Sequence, residues 1–220
     1  MSNSRVFLDT TTTDAPVRGF LHESATDGDA LVLAHGAGAD CSAPLLVAVA
    51  VAFCAAGVTV LRIDLPFRQL RPHGPPPRGS AERDQAGLRA AVEAMRSRAS
   101  GRVFMGGHSY GGRQASMLAA SDPGLVEALL LLSYPLHPPK RREELRTAHF
   151  PRLETSALFV HGSRDGFGST AELEEARKLI PGRTDLLAIP SAGHELLTKQ
   201  NRETLPRLCV ERFLAFVNAC

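Results

Sequence analysis

The sequence predicts an α/β fold, a three-layer sandwich in which helices cover both faces of a mostly parallel sheet of about seven strands. The chain has 220 residues, which is enough for one such domain and too few for two full ones. Hydrophobic residues make up 44% of it, an ordinary fraction for a globular protein. Strand-like and helix-like segments alternate without a repeat or linker, as in sheets covered by helices. We therefore treat residues 1–220 as one domain and expect residues 1–16 to be peripheral.

In the first half of the chain, apolar runs alternate with segments that carry helix start and stop signals. Residues 30–34 (ALVLA) are apolar throughout, as expected of a strand buried on both faces of a sheet. Residues 44–56 are predicted to be a helix, because Gly57 directly after them is a common helix stop. Three consecutive prolines within residues 66–79 predict a loop without regular structure. The other elements predicted here are a strand at 58–63, a helix at 80–98 that Ser80 can cap, and a strand at 102–107.

The second half of the chain continues the alternation. Residues 126–132 are predicted to be another buried strand. Residues 134–152 are basic and contain prolines, so we expect irregular structure with at most one helical turn. Pro181 and Gly182 end a predicted helix at 170–179. The remaining elements are helices at 110–120 and 202–217, the latter with an apolar stripe, and strands at 157–161 and 185–189.

The strongest chemical signal is the segment GHSYG at residues 107–111, which fits the G-x-S-x-G pattern between a strand and a helix. In such a turn the serine takes a positive φ, and glycines on either side allow the close backbone approach. The helix begins directly after Ser109, so its free N–H groups face any developing oxyanion. We interpret Ser109 as a catalytic nucleophile. The alternative is a glycine-rich turn without chemistry.

A serine nucleophile needs a general base and an acid that orients the base. Asp165 lies in the loop after the strand at 157–161, and His194 lies in the loop after the strand at 185–189. This order, serine then acid then histidine, is the one expected for this type of turn. All three side chains would emerge at the carboxyl edge of one parallel sheet. The alternatives are that Asp165 is a turn residue and that His194 is a surface histidine.

The segment HGAG at residues 35–38 follows the first buried strand and can complete an oxyanion hole. We expect the backbone N–H groups of Ala37 and Tyr110 to be the donors. A competing interpretation treats residues 36–41 as an altered G-x-G-x-x-G motif that binds a dinucleotide. In that interpretation the carboxylate of Asp64 would hold the ribose. Cys41 replaces the third glycine of that motif and weakens this interpretation.

Four segments together resemble the α/β-hydrolase superfamily, and the resemblance covers roughly residues 17–217. The run GGHSYGGRQAS, with HGSRDGFG, resembles a small lidless group that includes testis-expressed and chromatin-complex hydrolase-like proteins. The size is also similar to that of dienelactone hydrolases, which carry a cysteine where this chain has Ser109. The resemblance implies hydrolysis of acyl esters, thioesters or related bonds, but it supplies no substrate. The four segments are residues 35–38, 107–111, 162–165 and 192–194.

Other residues have less specific predictions. Gly36, Gly38, Arg68 and Tyr134 are candidates for lining the substrate site, although a solvated loop is the favoured alternative for Arg68. Arg113 follows the nucleophile on its helix and could form an ion pair with Asp64. His108 and His161 are expected to have packing or structural roles.

Composition excludes several classes of function. The net charge of +2 does not indicate a nucleic-acid or membrane partner. The longest apolar stretch is too short to span a bilayer, and no signal peptide is visible, so the expected location is the cytoplasm. The four widely spaced cysteines do not suggest a zinc site or a disulfide framework. We expect no metal, no organic cofactor and a small-molecule acyl substrate, and the oligomeric state stays open.

The sequence therefore predicts a serine hydrolase that cleaves short-chain acyl esters or thioesters with Ser109, His194 and Asp165. Residues 134–152 are too few for a typical helical cap, so the site is expected to be open. The alternative is a hydrolase-like interaction module with weak or no catalysis.

Overall fold

The computed structural model describes residues 4–11, 16–26 and 28–219. Within them, the strands are β1 (Ser4–Asp9), β2 (Val17–His22), β3 (Ala30–Ala34), β4 (Thr59–Asp64), β5 (Val103–His108), β6 (Ala128–Leu132), β7 (Ser156–Gly162) and β8 (Thr184–Ile189). The helices are α1 (Pro44–Ala55), α2 (Pro66–Leu70), α3 (Ala81–Arg96), α4 (Tyr110–Ser121), α5 (Thr170–Arg177) and α6 (Thr204–Asn218). One 3₁₀ turn lies at Phe150–Arg152.

These strands form one sheet with the order β1-β2-β4-β3-β5-β6-β7-β8. The pairs β1–β2 and β2–β4 are antiparallel, and all pairs from β4 to β8 are parallel. The predicted α/β class with a mostly parallel sheet is confirmed. The described residues hold eight strands rather than about seven, because residues 4–9 form the edge strand β1. Only Phe7 of β1 is buried, so the strand has little hydrophobic pattern by which the sequence could reveal it.

Helices cover both faces of the sheet. Along β3, Leu31 and Leu33 pack with α1 and α6 on one face, while Val32 and Ala34 pack with α3 and α4 on the other. Both sets of side chains are fully buried, which explains why the run ALVLA is apolar without alternation. Phe213 of α6 makes edge-to-face contacts with Phe104 at a centroid distance of 5.1 Å and with Phe53 of α1 at 5.7 Å.

Two loops at the carboxyl edge of the sheet differ in their packing. Residues 66–79 were predicted to be irregular throughout, but the short helix α2 occupies Pro66–Leu70. Proline is compatible with this helix because it lies at the first position, where no N–H bond is needed. Residues 134–152 contain only the single 3₁₀ turn, as predicted. Tyr134 and Phe150 in this segment are fully buried, so it packs onto the core and forms no cap.

Gly107 at the end of β5 allows a close approach of the backbone. A Cβ atom there would lie 2.4 Å from the carbonyl oxygen of Ala34 in β3. Because both partners belong to rigid backbone, we expect Gly107→Ala to lower the free energy of unfolding by about 1–3 kcal/mol or more. The matched control is Gly166→Ala, since a Cβ at Gly166 meets nothing within 4 Å. Urea unfolding of both variants tests this, and equal stabilities would contradict the steric explanation.

Candidate active site

Ser109 lies on a strained turn between β5 and α4. Its backbone angles are φ 51° and ψ −114°, so the positive φ predicted from the sequence is confirmed. A Cβ at Gly111 would lie 2.6 Å from the carbonyl oxygens of Ala34 and His35. The two glycines at positions 107 and 111 therefore bring the turn that holds Ser109 against the end of β3, where the loop 35–38 begins.

The side chains of Ser109, His194 and Asp165 form a continuous chain of hydrogen bonds. The hydroxyl of Ser109 donates to Nε2 of His194 at 2.8 Å. Nδ1–H of His194 donates to Oδ2 of Asp165, also at 2.8 Å. The three residues follow β5, β8 and β7, so the carboxyl edge of the parallel sheet brings together residues that are far apart in the chain.

Asp165 is held in its charged form. Its side chain is fully buried, and Oδ1 accepts the backbone N–H of Phe167 at 2.8 Å. Burial by itself raises the pKa of Asp165, but the hydrogen bonds from His194 and Phe167 outweigh it, so the pKa lies below its ordinary value. His161 lies beside it, with Nε2 at 3.7 Å from Oδ2, and donates its Nε2–H to the carbonyl of Gly168. An ionised carboxylate at this position fixes the tautomer of His194 with the proton on Nδ1.

Two residues that sequence reasoning did not assign to the site hold His194 in place. Nε2–H of His108 donates to the backbone carbonyl of His194 at 2.9 Å. The ring of Phe167 stacks on the His194 imidazole, with the centroids 4.2 Å apart and the planes 31° apart. The position of His108 directly before Ser109 was the available signal for its role. The sequence contains no comparable signal for Phe167.

A cavity of about 540 Å³ opens over Ser109 and His194. Of the predicted oxyanion and substrate-lining residues, Gly36, Ala37 and Gly38 line it. The other lining residues are mostly apolar: Ala39, Ala43, Pro44, Leu45, Leu46, His108, Phe167, Glu195 and Leu197. Tyr110 is the first residue of α4, so its backbone N–H belongs to the free helix N terminus next to Ser109.

Two predicted substrate-lining residues lie elsewhere. Tyr134 is fully buried, because its ring packs in the core between aromatic side chains. Its hydroxyl donates to the carbonyl of Arg146 at 2.6 Å. Arg68 is 6% exposed and lies behind the loop 36–39, where its guanidinium donates to backbone carbonyls. Neither residue lines the cavity.

The structure also decides two further sequence interpretations. No ion pair joins Arg113 and Asp64 among the described residues; one oxygen of Asp64 accepts the backbone N–H of Cys41 at 2.8 Å. That bond ties the Asp64 carboxylate to residues 36–41, and residues 36–39 of this segment line the cavity together with Ser109, which favours the oxyanion-hole interpretation over the dinucleotide one. Tyr110 donates its hydroxyl proton to the buried Asp84 at 2.7 Å, which anchors the first turn of α4.

The family model described as an alpha/beta hydrolase domain matches residues 27–216, most of the chain. The chain belongs to the α/β-hydrolase family. The family predicted from the sequence motifs is therefore confirmed.

This α/β hydrolase is similar in fold to several solved enzymes. Dienelactone hydrolase from Anabaena variabilis is 21% identical, with 97% of this chain and 98% of that chain covered and a TM-score of 0.76. Est1E from Butyrivibrio proteoclasticus is 17% identical, with 96% and 98% covered and a TM-score of 0.77. XC6422 from Xanthomonas campestris, a serine hydrolase without a lid, is 15% identical, with 100% and 98% covered and a TM-score of 0.73.

At these identities the similarity concerns the fold alone. The likeness of this α/β hydrolase to dienelactone hydrolase and to a lidless serine hydrolase agrees with the sequence prediction. Its relation to the testis-expressed and chromatin-complex group stays a prediction. In the part of the chain that the structure describes, every helix is too short or too polar to cross a membrane.

Proposed function

We propose that this α/β hydrolase is a serine hydrolase that cleaves short-chain acyl esters or thioesters through an acyl-enzyme intermediate. The observation that carries the proposal is the hydrogen-bond chain from Ser109 through His194 to Asp165, with 2.8 Å at both steps. The serine is the group that attacks, the imidazole can take its proton, and the carboxylate stabilises the imidazolium that results. A small-molecule acyl substrate fits the cavity of about 540 Å³ above the serine.

In the acylation step, Oγ of Ser109 attacks the acyl carbonyl while its proton moves to Nε2 of His194. The carbonyl oxygen becomes an oxyanion, which accepts hydrogen bonds from the N–H groups of Tyr110 and of the loop at Ala37. His194 then gives its proton to the departing alkoxide or thiolate, and the bond between the acyl carbon and the leaving group breaks. Asp165 keeps its negative charge throughout and stabilises the imidazolium.

In the deacylation step, a water molecule replaces the leaving group. His194 takes a proton from this water through Nε2, and the resulting nucleophile attacks the ester carbon on Ser109. The same N–H groups stabilise the second oxyanion. Its collapse breaks the bond to Oγ, and the proton on His194 returns to Ser109, so that the acid product leaves and the starting state is restored.

A fluorophosphonate probe tests this proposal against the alternative of a binding module without catalysis. The probe phosphonylates a serine only when a base activates it and an oxyanion site stabilises the adduct. We expect one adduct, on the peptide that contains Ser109, and none in the Ser109→Ala variant. A folded wild-type protein that resists labelling and cleaves no ester in a p-nitrophenyl ester and thioester screen would support the binding module.

Acyl-chain preference follows from the absence of a cap. Neither residues 66–79 nor residues 134–152 line the cavity, so no described part of these loops covers a long acyl chain. Each buried CH₂ group contributes about 0.8 kcal/mol, and an open cleft stops gaining this after a few carbons. We expect kcat/KM for p-nitrophenyl esters to be highest at roughly C2 to C6 and to level off or fall beyond.

The measurement is a series from acetate to palmitate, each ester kept below its micelle concentration. The Ser109→Ala variant supplies the background rate for every ester. A steady rise of kcat/KM through dodecanoate would show that an apolar surface covers the chain and would contradict the short-chain proposal.

A further inference from the structure

The guanidinium of Arg68, on α2, is bonded to backbone carbonyls on two segments. Nε donates to the carbonyl of Ala39 at 2.7 Å, and Nη2 donates to the carbonyl of Ala37 at 2.8 Å. The other two bonds, each 3.0 Å long, go to the carbonyls of Arg71 and Gly74 in its own loop. Arg68 is only 6% exposed, so these bonds replace water around a buried cation.

A second residue, His35, fixes the preceding peptide of the same loop. Its Nδ1–H donates to the carbonyl of Gly36 at 2.8 Å, while its Nε2 accepts the backbone N–H of Leu65 at 3.1 Å. Burial lowers the pKa of His35, so the ring stays neutral and keeps this tautomer. The carbonyl of Gly36 also accepts the N–H of Ala39 at 3.2 Å.

These bonds determine where the amide protons of the loop point. In a planar trans peptide, the C=O and the N–H of the next residue point in opposite directions. The carbonyls of Gly36 and Ala37 point toward His35 and Arg68, behind the loop. The N–H groups of Ala37 and Gly38 therefore point away from His35 and Arg68, and both residues line the cavity.

We propose that Arg68 is a positioning residue that orients residues 35–39, the oxyanion loop. In this orientation the N–H groups of Ala37 and Gly38 both face the developing negative charge. This inference rests on the proposed hydrolase function and adds Gly38 to the donors. An oxyanion site is effective because its donors are fixed before the reaction, and a loop whose carbonyls are free to rotate loses that advantage. Arginine suits this role because its planar fork can donate to several carbonyls at once.

Packing links Arg68 to both sides of the oxyanion site. The guanidinium lies over the ring of Phe67, with its central carbon 4.9 Å from the centroid. The same ring contacts Tyr110 edge-to-face at 5.6 Å and His35 at 5.6 Å. Tyr110 begins the helix on one side of the oxyanion site, and His35 begins the loop on the other. Loss of Arg68 is therefore expected to displace the N–H donors of the loop, while the cavity-lining residues outside the loop stay in place.

The kinetics of Arg68→Gln test the proposal, and Arg78→Gln, which changes an exposed arginine on the same loop, is the matched control. Rates are expressed per folded protein, with the folded fraction taken from urea unfolding, so that a misfolded fraction does not contribute. We expect kcat of Arg68→Gln to fall by about 10²-fold with KM within a few-fold, because a small displacement of fixed groups has this effect. A trifluoromethyl ketone analogue should lose affinity in parallel with kcat/KM.

Chemical rescue separates positioning from a merely structural role. Guanidinium at millimolar concentration should restore part of kcat to Arg68→Ala and should leave the control variant unchanged. Wild-type kcat and analogue affinity in folded Arg68→Gln would overturn the proposal. A wild-type protein without Ser109-dependent hydrolysis would instead contradict the proposed function itself.

Amide proton shifts in the wild-type protein provide a test that needs no folded variant. When the trifluoromethyl ketone forms its adduct with Ser109, the amide protons of Ala37 and Gly38 should both move downfield, because both donate to the oxyanion. If neither amide proton shifts while the Tyr110 amide does, the assignment of this loop is wrong.

Discussion

Replacing Ser109 by alanine is expected to abolish ester hydrolysis, with a loss of about 10⁴–10⁶ in rate. The hydroxyl of Ser109 is the proposed attacking group, and it donates directly to Nε2 of His194, which can take its proton. Alanine fits the same backbone position, because the strain at φ 51° and the close glycine contacts do not depend on the hydroxyl. The fold should therefore persist while the chemistry is lost.

The measurement is kcat/KM for p-nitrophenyl acetate, together with the midpoint of thermal unfolding. Ser42→Ala, an exposed serine near the same cavity, is the matched control and should keep wild-type activity. If Ser109→Ala retains near wild-type turnover and an unchanged unfolding midpoint, another group is the nucleophile.

Replacing Asp165 by asparagine is expected to lower kcat by about 10⁴-fold. The carboxylate accepts Nδ1–H of His194, and this bond leaves Nε2 free to take the serine proton. An asparagine amide donates in place of one oxygen, which favours the tautomer with the proton on Nε2 and removes the base. Asparagine can still accept the Phe167 N–H through its carbonyl oxygen, so the loop should keep its shape.

This variant is measured in the same assay, and Asp122→Asn, which removes a surface ion pair with Arg89, is the control. A crystal structure or an NMR spectrum of Asp165→Asn should show His194 in place with the other tautomer. A nearly silent substitution would mean that a different acid orients His194.

The parts of the fold that the sequence reveals are those set by local chemistry. The run at residues 30–34 is apolar because both faces of β3 are covered, and the glycines around Ser109 are needed by backbone contacts that no Cβ permits. The residues of the hydrogen-bond chain could be predicted because parallel strands end at one edge. Ser109, Asp165 and His194 follow three such strands.

Other features depend on tertiary contacts that a sequence pattern does not contain. Arg68 and Tyr134 both follow predicted strands at the carboxyl edge of the sheet, and the sequence predicts that they line the substrate site. The structure places one behind the oxyanion loop and the other in the core, where each satisfies backbone carbonyls. The stacking of Phe167 on His194 depends on the path of the loop after β7. The edge strand β1 has one buried side chain, too few to show a period.

Trapping the acylated serine tests the nucleophile most directly. The protein is mixed with p-nitrophenyl acetate, quenched in acid within the burst of p-nitrophenol release, digested and analysed by mass spectrometry. An acetyl group on Ser109, with a burst of one equivalent per site, is the predicted result, and His194→Ala should show neither. Steady hydrolysis without a burst, or an acetyl group on another residue that turns over at the rate of catalysis, would contradict the acyl-enzyme mechanism.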